Sequence, residues 1–343
     1  MNSHTFNLCL LGFGNVNRTL VDLLSRKSTE LRDRHGINWR VTGIASRRLG
    51  WQANPGGFDA QPLCGSDIPV RPASNSIKIC GSLEAWLEAA KPDVLFEATS
   101  LNVETGEPAI THIRAALDHG AHAITANKGP IVHAYRDLRD LAARQGRRFL
   151  FESTVMDGTP IFSMFRDTLP AVEVNAFTGI LNSTTNVILS EMEQGLSFDE
   201  ALKKAQQLGV AETDASYDID GWDAAVKVAA LVNVVMDVLL PPQRVERQGI
   251  RNLTRETVQA ARSANRPYKL ICRARRTSEN IVHASVHPEQ VPLTDPMALV
   301  VGTSSIIRFE TDIFPGLTIT EENPGLYATA YGMLADFIRA AKG

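Results

Sequence analysis

The chain has 343 residues, more than one compact domain usually holds, so two domains are expected. Hydrophobic residues make up 44% and charged residues 21%, the balance of a soluble globular protein. The net charge is −3, and no Lys/Arg run with interleaved aromatics argues for a nucleic-acid surface. Cys9, Cys64, Cys80 and Cys272 lack the close pairing of zinc or thioredoxin-like chemistry, and read as small buried residues in a reducing cytosol. Phe6–Leu11 is too short for a signal core and has no basic lead. Ala224–Leu240 is the most apolar long stretch, but Lys227, Asn233 and Asp237 make it a buried helix rather than a membrane span.

In chain order, Phe6–Leu11, Arg40–Ala45, Val94–Ala98, Ala121–Thr125 and Arg148–Glu152 read as strands. Val16–Arg34, Ser82–Ala90, Glu107–His119 and Ile131–Gln145 read as the helices between them, with Ser82 as an N-cap. The alternation predicts an α/β fold, a Rossmann-type doubly wound parallel sheet that takes ligands at the carboxyl ends of its strands. The first such end is Gly12-Phe13-Gly14-Asn15-Val16, between a strand and a helix. Gly12 permits the tight turn, and Gly14 lets backbone amides approach a pyrophosphate at the helix N-terminus. Asn17 stands where a third glycine is usual, so the fingerprint is incomplete.

The second strand ends in Ser46-Arg47-Arg48, with no acid to bond a ribose 2′-hydroxyl. Two guanidiniums there can pair with a 2′-phosphate, which favours NADP(H) over NAD(H). The alternative reading of Arg47 and Arg48 is as solvated loop charges. Gly50–Lys78 reads as an irregular surface excursion. Thr99-Ser100 and Asn127-Lys128 follow the next strand ends, and Pro130 opens a helix. Lys128 is either a crevice cation near the nicotinamide or a surface-turn lysine.

From Val172 a strand runs to Ile180, followed by the polar turn Asn182–Asn186 and helices over Ile188–Gln194 and Phe198–Gln207. Ser197 and Glu200 form a capping box, and Gly209 stops the second of these helices. Glu212, Asp214, Asp218, Asp220 and Asp223 then put five acids into twelve residues ahead of a long apolar helix. Asp220 is its expected N-cap, and Asp223 and Lys227 share one face, four residues apart. On an exposed helix that pair is an ordinary ion pair. On a helix apolar nearly all round it is buried, and a buried pair points to a site. Tyr268–Arg276 and Ile281–His287 read as a strand pair joined by the polar turn Thr277–Asn280, with His283 and His287 read as solvated or core histidines. A helix over Gly325–Ala341 ends the chain.

Several of these stretches together resemble one family. Gly179-Ile180-Leu181-Asn182-Ser183-Thr184-Thr185-Asn186 is similar to the homoserine dehydrogenase turn G-I-x-N-G-T-x-N. Leu208–Glu212 with Asp218–Lys227 resembles that family's catalytic signature, and Gly12–Val16, Ala126–Lys128 and Glu152–Val155 match it in order. The resemblance implies a short form without the regulatory amino-acid-binding domain. It implies a nucleotide-binding domain over 1–150, completed by a C-terminal helix at about 324–343. An α+β domain over 151–323 would bind substrate, catalyse and dimerise.

The implied reaction is NAD(P)-dependent interconversion of L-homoserine and L-aspartate 4-semialdehyde, in a cytoplasmic homodimer of threonine and methionine biosynthesis. Glu212 and Asp218 would hold the substrate ammonium, with Ser183 and Thr184 lining the amino-acid end. Asp223 and Lys227 would sit at the reacting carbon, and Lys128 near it and the nicotinamide. Lys227 would polarise the carbonyl and donate a proton in reduction, and in oxidation a neutral lysine would take it, with Lys128 as the rival. Na+ or K+ would be held by main-chain carbonyls at Glu152, Val155, Asp157 and Thr159, where Asp157 either adds a carboxylate or disturbs the loop. Relatives carry a G-x-G-A-G turn before the last helix, and here Glu322-Asn323-Pro324-Gly325-Leu326-Tyr327 replaces it. That departure leaves open a divergent paralogue on another small amino alcohol or semialdehyde. A non-catalytic NADP-binding module is the remaining alternative, and the presence of both Lys128 and Lys227 argues against it.

Overall fold

A computed structural model describes residues 4–64, 76–278 and 281–342. The chain forms two compact units, Met1–Phe162 with Gly325–Gly343, and Ser163–Pro324. In the first, β1 (His4–Leu11) leads through α1 (Asn15–Arg26) and α2 (Ser28–His35) to β2 (Ile37–Ser46). A single helix was expected over Val16–Arg34, and it breaks at Lys27, whose ψ is 4°. The Ser25 and Ser28 hydroxyls donate back to the Val21 and Leu24 carbonyls at 2.8 Å, bonding that bends a helix at its solvent side.

The chain continues through β3 (Gly50–Ala53), α3 (Ala60–Leu63), β4 (Lys78–Cys80), α4 (Leu83–Ala90), β5 (Val94–Glu97), α5 (Ala109–Asp118), β6 (His122–Thr125), α6 (Gly129–Arg144) and β7 (Phe149–Leu150). The sheet order is β4-β3-β2-β1-β5-β6-β7. Its neighbours from β2 to β7 are parallel, as expected, but β3 and β4 are antiparallel additions. The reading of Gly50–Lys78 as loop is therefore corrected at its start. Gly50 takes φ +64° with open space at its Cβ, so the chain reverses there into a hairpin with β2. Residues 65–75 of that excursion lie outside the described residues. Strand β7 is also shorter than expected. From Glu152 the chain coils, and the Glu152 amide donates to the Asp336 carboxylate at 2.7 Å instead of to a neighbouring strand.

The second unit contains β8 (Val174–Ile180), α7 (Ser183–Glu193), α8 (Phe198–Gln207), α9 (Ser216–Ile219), α10 (Trp222–Val235), β9 (Glu246–Arg247), α11 (Arg255–Ser263), β10 (Tyr268–Ser278), β11 (Ile281–Gln290), β12 (Ser305–Thr311) and β13 (Leu317–Glu321). They form a six-stranded sheet in the order β13-β12-β8-β10-β11-β9, antiparallel except where β9 joins β11. Helix α10 packs on β10 and β11, and α7 packs on β10. The capping box at Ser197 and Glu200 is present. Of the turn expected at Thr277–Asn280, residues 279–280 lie outside the described residues.

The chain ends in α12 (Leu326–Lys342), which belongs to the first unit. Alternation along β1 sends Leu8 and Leu10 to one face of the sheet, with Phe96, Met333, Leu334 and Phe337. Cys9 and Leu11 go to the other face, with Trp86, Leu87 and Leu95. Phe337 meets Phe6 and Phe96 edge to face at 5.4 and 5.9 Å. Both faces are thus covered, as a doubly wound sheet requires. Cys9 and Cys272 are buried as expected, whereas Cys64 and Cys80 are only partly covered. Among the described residues, no helix is long and apolar enough to cross a membrane.

Candidate active site

In the first unit the strand ends enclose a cavity of about 610 Å³. Gly12, Phe13, Gly14, Arg47, Thr99 and Ser100 line it. Gly12 has φ +74°, and a Cβ there would stand 2.4 Å from the Ala98 carbonyl. Only glycine lets β1 turn this close under β5. Gly14 precedes α1, whose first amides, at Asn15 and Val16, have no carbonyl one turn back to bond. Asn17 at the third glycine position is fully buried, and its amide donates to the Leu11 and Gly12 carbonyls at 3.0 and 3.2 Å. It ties helix to strand by hydrogen bonds where a glycine would do so by close packing. Arg47 reaches the cavity, and Arg48 is exposed one residue on. Trp51, Pro108 and His112 also line the cavity, with Trp51 and His112 edge to face at 5.8 Å. Their sequence positions carry no motif, and the hairpin at β3 is what brings Trp51 in. Lys128 is half-buried at the N-terminus of α6, with Pro130 in the first turn.

In the second unit a chain of polar side chains sits where β8 gives way to α7. Residues 182–186 are not a free turn, as expected, but the cap and first turn of α7. Asn182 is the N-cap, and its Oδ1 accepts from the Thr185 amide at 2.9 Å and from the Thr185 hydroxyl at 2.8 Å. Its Nδ2 donates to Asp218 at 2.6 Å and to Asp223 at 3.0 Å, so the side chain uses both donors and both lone pairs. Asp223 is 3.1 Å from Lys227 Nζ, which also donates to the Leu181 carbonyl at 2.7 Å.

The Lys227 and Asp223 side chains are only 16% and 13% exposed, on a helix whose Ala224, Ala225, Val226 and Val228 are fully buried. Such a pair adds little stability over apolar residues, because desolvation offsets the attraction. Thr184 shares its hydroxyl hydrogen between Asp218 Oδ2 at 3.1 Å and the Val210 carbonyl at 3.2 Å. Ser183 donates to the Thr303 carbonyl at 3.1 Å. Burial, and next the Asp223 carboxylate, hold the Asp218 carboxyl above its ordinary range, with the Asn182 and Thr184 hydrogen bonds and Lys227 opposing them. Glu212 lies exposed in the loop after α8, where its main-chain carbonyl accepts from Gln206. Asp220 does not cap α10. Gly221, at φ +80°, is the N-cap residue, and the Asp220 carboxylate pairs with Arg251 at 3.0 Å.

A family model described as "Homoserine dehydrogenase" matches residues 160–338, and "Homoserine dehydrogenase, NAD binding domain" matches 12–152. The chain belongs to the homoserine dehydrogenase family. It is 33% identical over 337 residues to the NAD(+)-dependent homoserine dehydrogenase of Pseudomonas canavaninivorans, covering 97% of this chain and 95% of that one. The crystal structure of a homoserine dehydrogenase from Thiobacillus denitrificans aligns with a TM-score of 0.84 at 28% identity, over 99% of this chain and 74% of that one. A hyperthermophilic archaeal homoserine dehydrogenase mutant in complex with NADPH gives 0.82 at 28% identity, over 99% and 98%.

In this member of the homoserine dehydrogenase family, the loop over Glu152–Thr159 is held by its own carboxylates. The Glu152 carboxylate is buried, accepting from the Phe162 amide at 2.7 Å and facing Arg339 at 3.4 Å. Asp157 has φ +45°, a left-handed conformation that Asp tolerates better than most residues, and accepts from the Thr329 hydroxyl at 2.6 Å. Both carboxylates therefore fasten the loop to α12, and the Thr159 carbonyl accepts from the Ile161 amide. Two residues of the acidic cluster were not legible beforehand as site residues. Asn182 joins two acids across 36 and 41 residues of chain, which no local spacing reveals. Tyr217 brings its hydroxyl, buried and without a hydrogen-bond partner among the described residues, beside Asp218 and Asp223.

Proposed function

We propose that the protein interconverts L-homoserine and L-aspartate 4-semialdehyde, with Lys227 as the proton carrier at the reacting oxygen. The observation that carries this reading is the chain Lys227–Asp223–Asn182–Asp218, a buried cation linked by hydrogen bonds to two carboxylates. A bound nicotinamide dinucleotide supplies the hydride acceptor for oxidation or the donor for reduction. In oxidation, the neutral amine of Lys227 would take the hydroxyl proton as the carbon loses hydride, and in reduction the Lys227 ammonium would give a proton to the oxygen. Asp223 holds the Lys227 ammonium in place, and Asp218 with Glu212 receives the substrate ammonium. Ser183 and Thr184 fix the amino-acid end, and Lys128 is the second candidate for the proton. Following cofactor reduction with homoserine beside other hydroxy amino acids tests the activity. No signal from homoserine with NADP or NAD overturns it.

NADP is the proposed cofactor because Arg47 lines the cavity and no acid stands at the end of β2. Trp51 and His112 offer a wall on which a purine can stack. The Arg47→Ala/Arg48→Ala double variant is expected to raise KM for NADP by about tenfold or more, the loss of a charge-assisted contact, and to leave KM for NAD nearly unchanged. Equal effects on the two cofactors sink the 2′-phosphate reading. Any Na+ or K+ is assigned to the carbonyl oxygens of Glu152, Val155, Asp157 and Thr159 alone, since the loop carboxylates are engaged with α12. A cytoplasmic homodimer in threonine and methionine biosynthesis completes the reading, supported by the family resemblance and the unpaired cysteines.

Asp218 links substrate binding to pH. Its carboxyl is raised above the ordinary carboxylate range, so ionising it in the folded protein costs stability. The stability that goes with the protonated carboxyl is fully present below the ordinary carboxylate value and is lost as pH rises through the raised one. Asp218→Asn should therefore unfold at the same or a higher temperature at neutral pH. Its KM for homoserine should rise by about ten- to a hundredfold, the worth of a hydrogen bond to a charged group. A lower melting temperature with unchanged KM would assign Asp218 to structure instead.

A further inference from the structure

Glu97 ends β5 fully buried, and its carboxylate accepts from Thr99 just past β5 and from Thr125 at the end of β6. Its Oε1 accepts from the Thr99 amide at 2.7 Å and the Thr99 hydroxyl at 2.5 Å, and its Oε2 from the Thr125 hydroxyl at 2.6 Å. Thr125 Oγ1 in turn accepts from the Asn127 amide at 2.9 Å. The Asn127 side chain closes the circuit, donating to the Thr99 carbonyl at 3.2 Å and accepting from the Gly129 amide at 2.9 Å. Lys128 is held between those two bonds of Asn127.

We propose that Glu97 is a positioning residue, whose carboxylate locks the ends of β5 and β6 into one hydrogen-bonded ring. One arm of the ring sets Thr99 for the dinucleotide, and the other sets Lys128 for the reaction. The donor set fits an ionised carboxylate, because the Thr99 amide can only donate, and Thr125 Oγ1 already accepts from the Asn127 amide and has its own hydrogen free for Glu97. Burial pushes the Glu97 carboxyl up, and the Thr125, Thr99 and Asn127 hydrogen bonds oppose it. A buried carboxylate without cationic help is costly, and a core residue of the same volume would hold β5 in the sheet as well. The ring does what an apolar residue cannot, which is to fix two loop backbones in register with each other.

The proposal rests on Lys128 serving the reaction, and the test separates the two claims. Glu97→Gln is near-isosteric, but an amide nitrogen at the Oε1 position meets the Thr99 amide, and at the Oε2 position it reverses the Thr125 bond and leaves that hydroxyl hydrogen without its acceptor. It should weaken NADP binding and lower kcat, each by about tenfold or more, since misplacing a reacting group by an ångström costs that much. Thr125→Val breaks only the Lys128 arm, so it should lower kcat while the Kd for NADP, read by quenching of protein fluorescence, stays within twofold. Thr99→Val removes the hydroxyl bond of the other arm, leaving the Thr99 amide bond, and should raise that Kd.

The deciding measurement is Thr125→Val in a Lys128→Ala background, where a residue acting through Lys128 has no further effect on kcat. An additive loss there, or equal effects of Thr125→Val and Thr99→Val on Kd, would make the ring a general stabiliser and overturn the proposal. Wild-type kcat in Glu97→Gln overturns it too. Wild-type kcat in Lys128→Ala instead overturns the role of Lys128, and the Kd of Glu97→Gln and Thr99→Val then decides the dinucleotide arm alone.

Discussion

Lys227→Ala is expected to lower kcat by about a hundred- to ten-thousandfold, the usual worth of a positioned proton carrier. The Kd for NADP should stay within twofold, because Gly12, Phe13, Gly14, Arg47, Thr99 and Ser100 line the cavity of the other unit. Lys227→Arg keeps the positive charge but cannot release a proton near neutral pH, so it should not rescue turnover. The same assay on Lys128→Ala ranks the two lysines, since the group that carries the proton shows the larger loss. Retention of full kcat by Lys227→Ala would remove its assigned role while leaving the family assignment standing. The variant should also lose stability, because it takes the Lys227 cation away from the buried Asp223 carboxylate, which keeps its hydrogen bond from Asn182, so its melting temperature is read beside kcat.

Gly12→Ala should damage both the fold and the dinucleotide site. The new Cβ would lie 2.4 Å from the Ala98 carbonyl and 2.6 Å from the Thr99 amide, at φ +74°. The left-handed conformation alone costs about 1–2 kcal/mol, and relieving the overlap adds about 1–3 kcal/mol. The melting temperature is expected to fall by several degrees, and the Kd for NADP to rise at least tenfold as β5 and its Thr99–Ser100 end are pushed away. Gly14→Ala is the contrast, because its Cβ would meet nothing nearer than the Gly12 carbonyl at 3.9 Å. That variant should keep its melting temperature and lose only cofactor affinity, since the methyl group stands where backbone must approach a pyrophosphate. Equal loss of stability in both variants would show that the turn does not depend on which glycine is which.

How far each feature was legible follows from the distance over which it is encoded. The helix over Phe198–Gln207, with its capping box, was expected and found at the same bounds, because cap and periodicity lie within one or two turns. The burial of Lys227 beside Asp223 followed from an apolar helix with one polar face, and the two side chains do meet. The break at Lys27 was missed because two serine hydroxyls bond back to carbonyls that periodicity still scores as helix. The hairpin at Gly50 was hidden by a Gly/Pro-rich stretch that looks like loop whether or not it pairs.

The sequence by itself determined the alternation of strand and helix, the glycine turn after β1 and the identity of the acid-rich approach to Lys227. Each of these is a matter of local period and of residue types that only certain backbone conformations accept. The tertiary structure decided that Asn182 joins Asp218 to Asp223, that Asn17 replaces a glycine by tying α1 to β1, and that Glu97 closes a ring across two strand ends. Those bonds span up to 41 residues of chain. They form only once strand register and helix docking bring distant polar atoms together, and burial then leaves each atom to find a partner inside the protein.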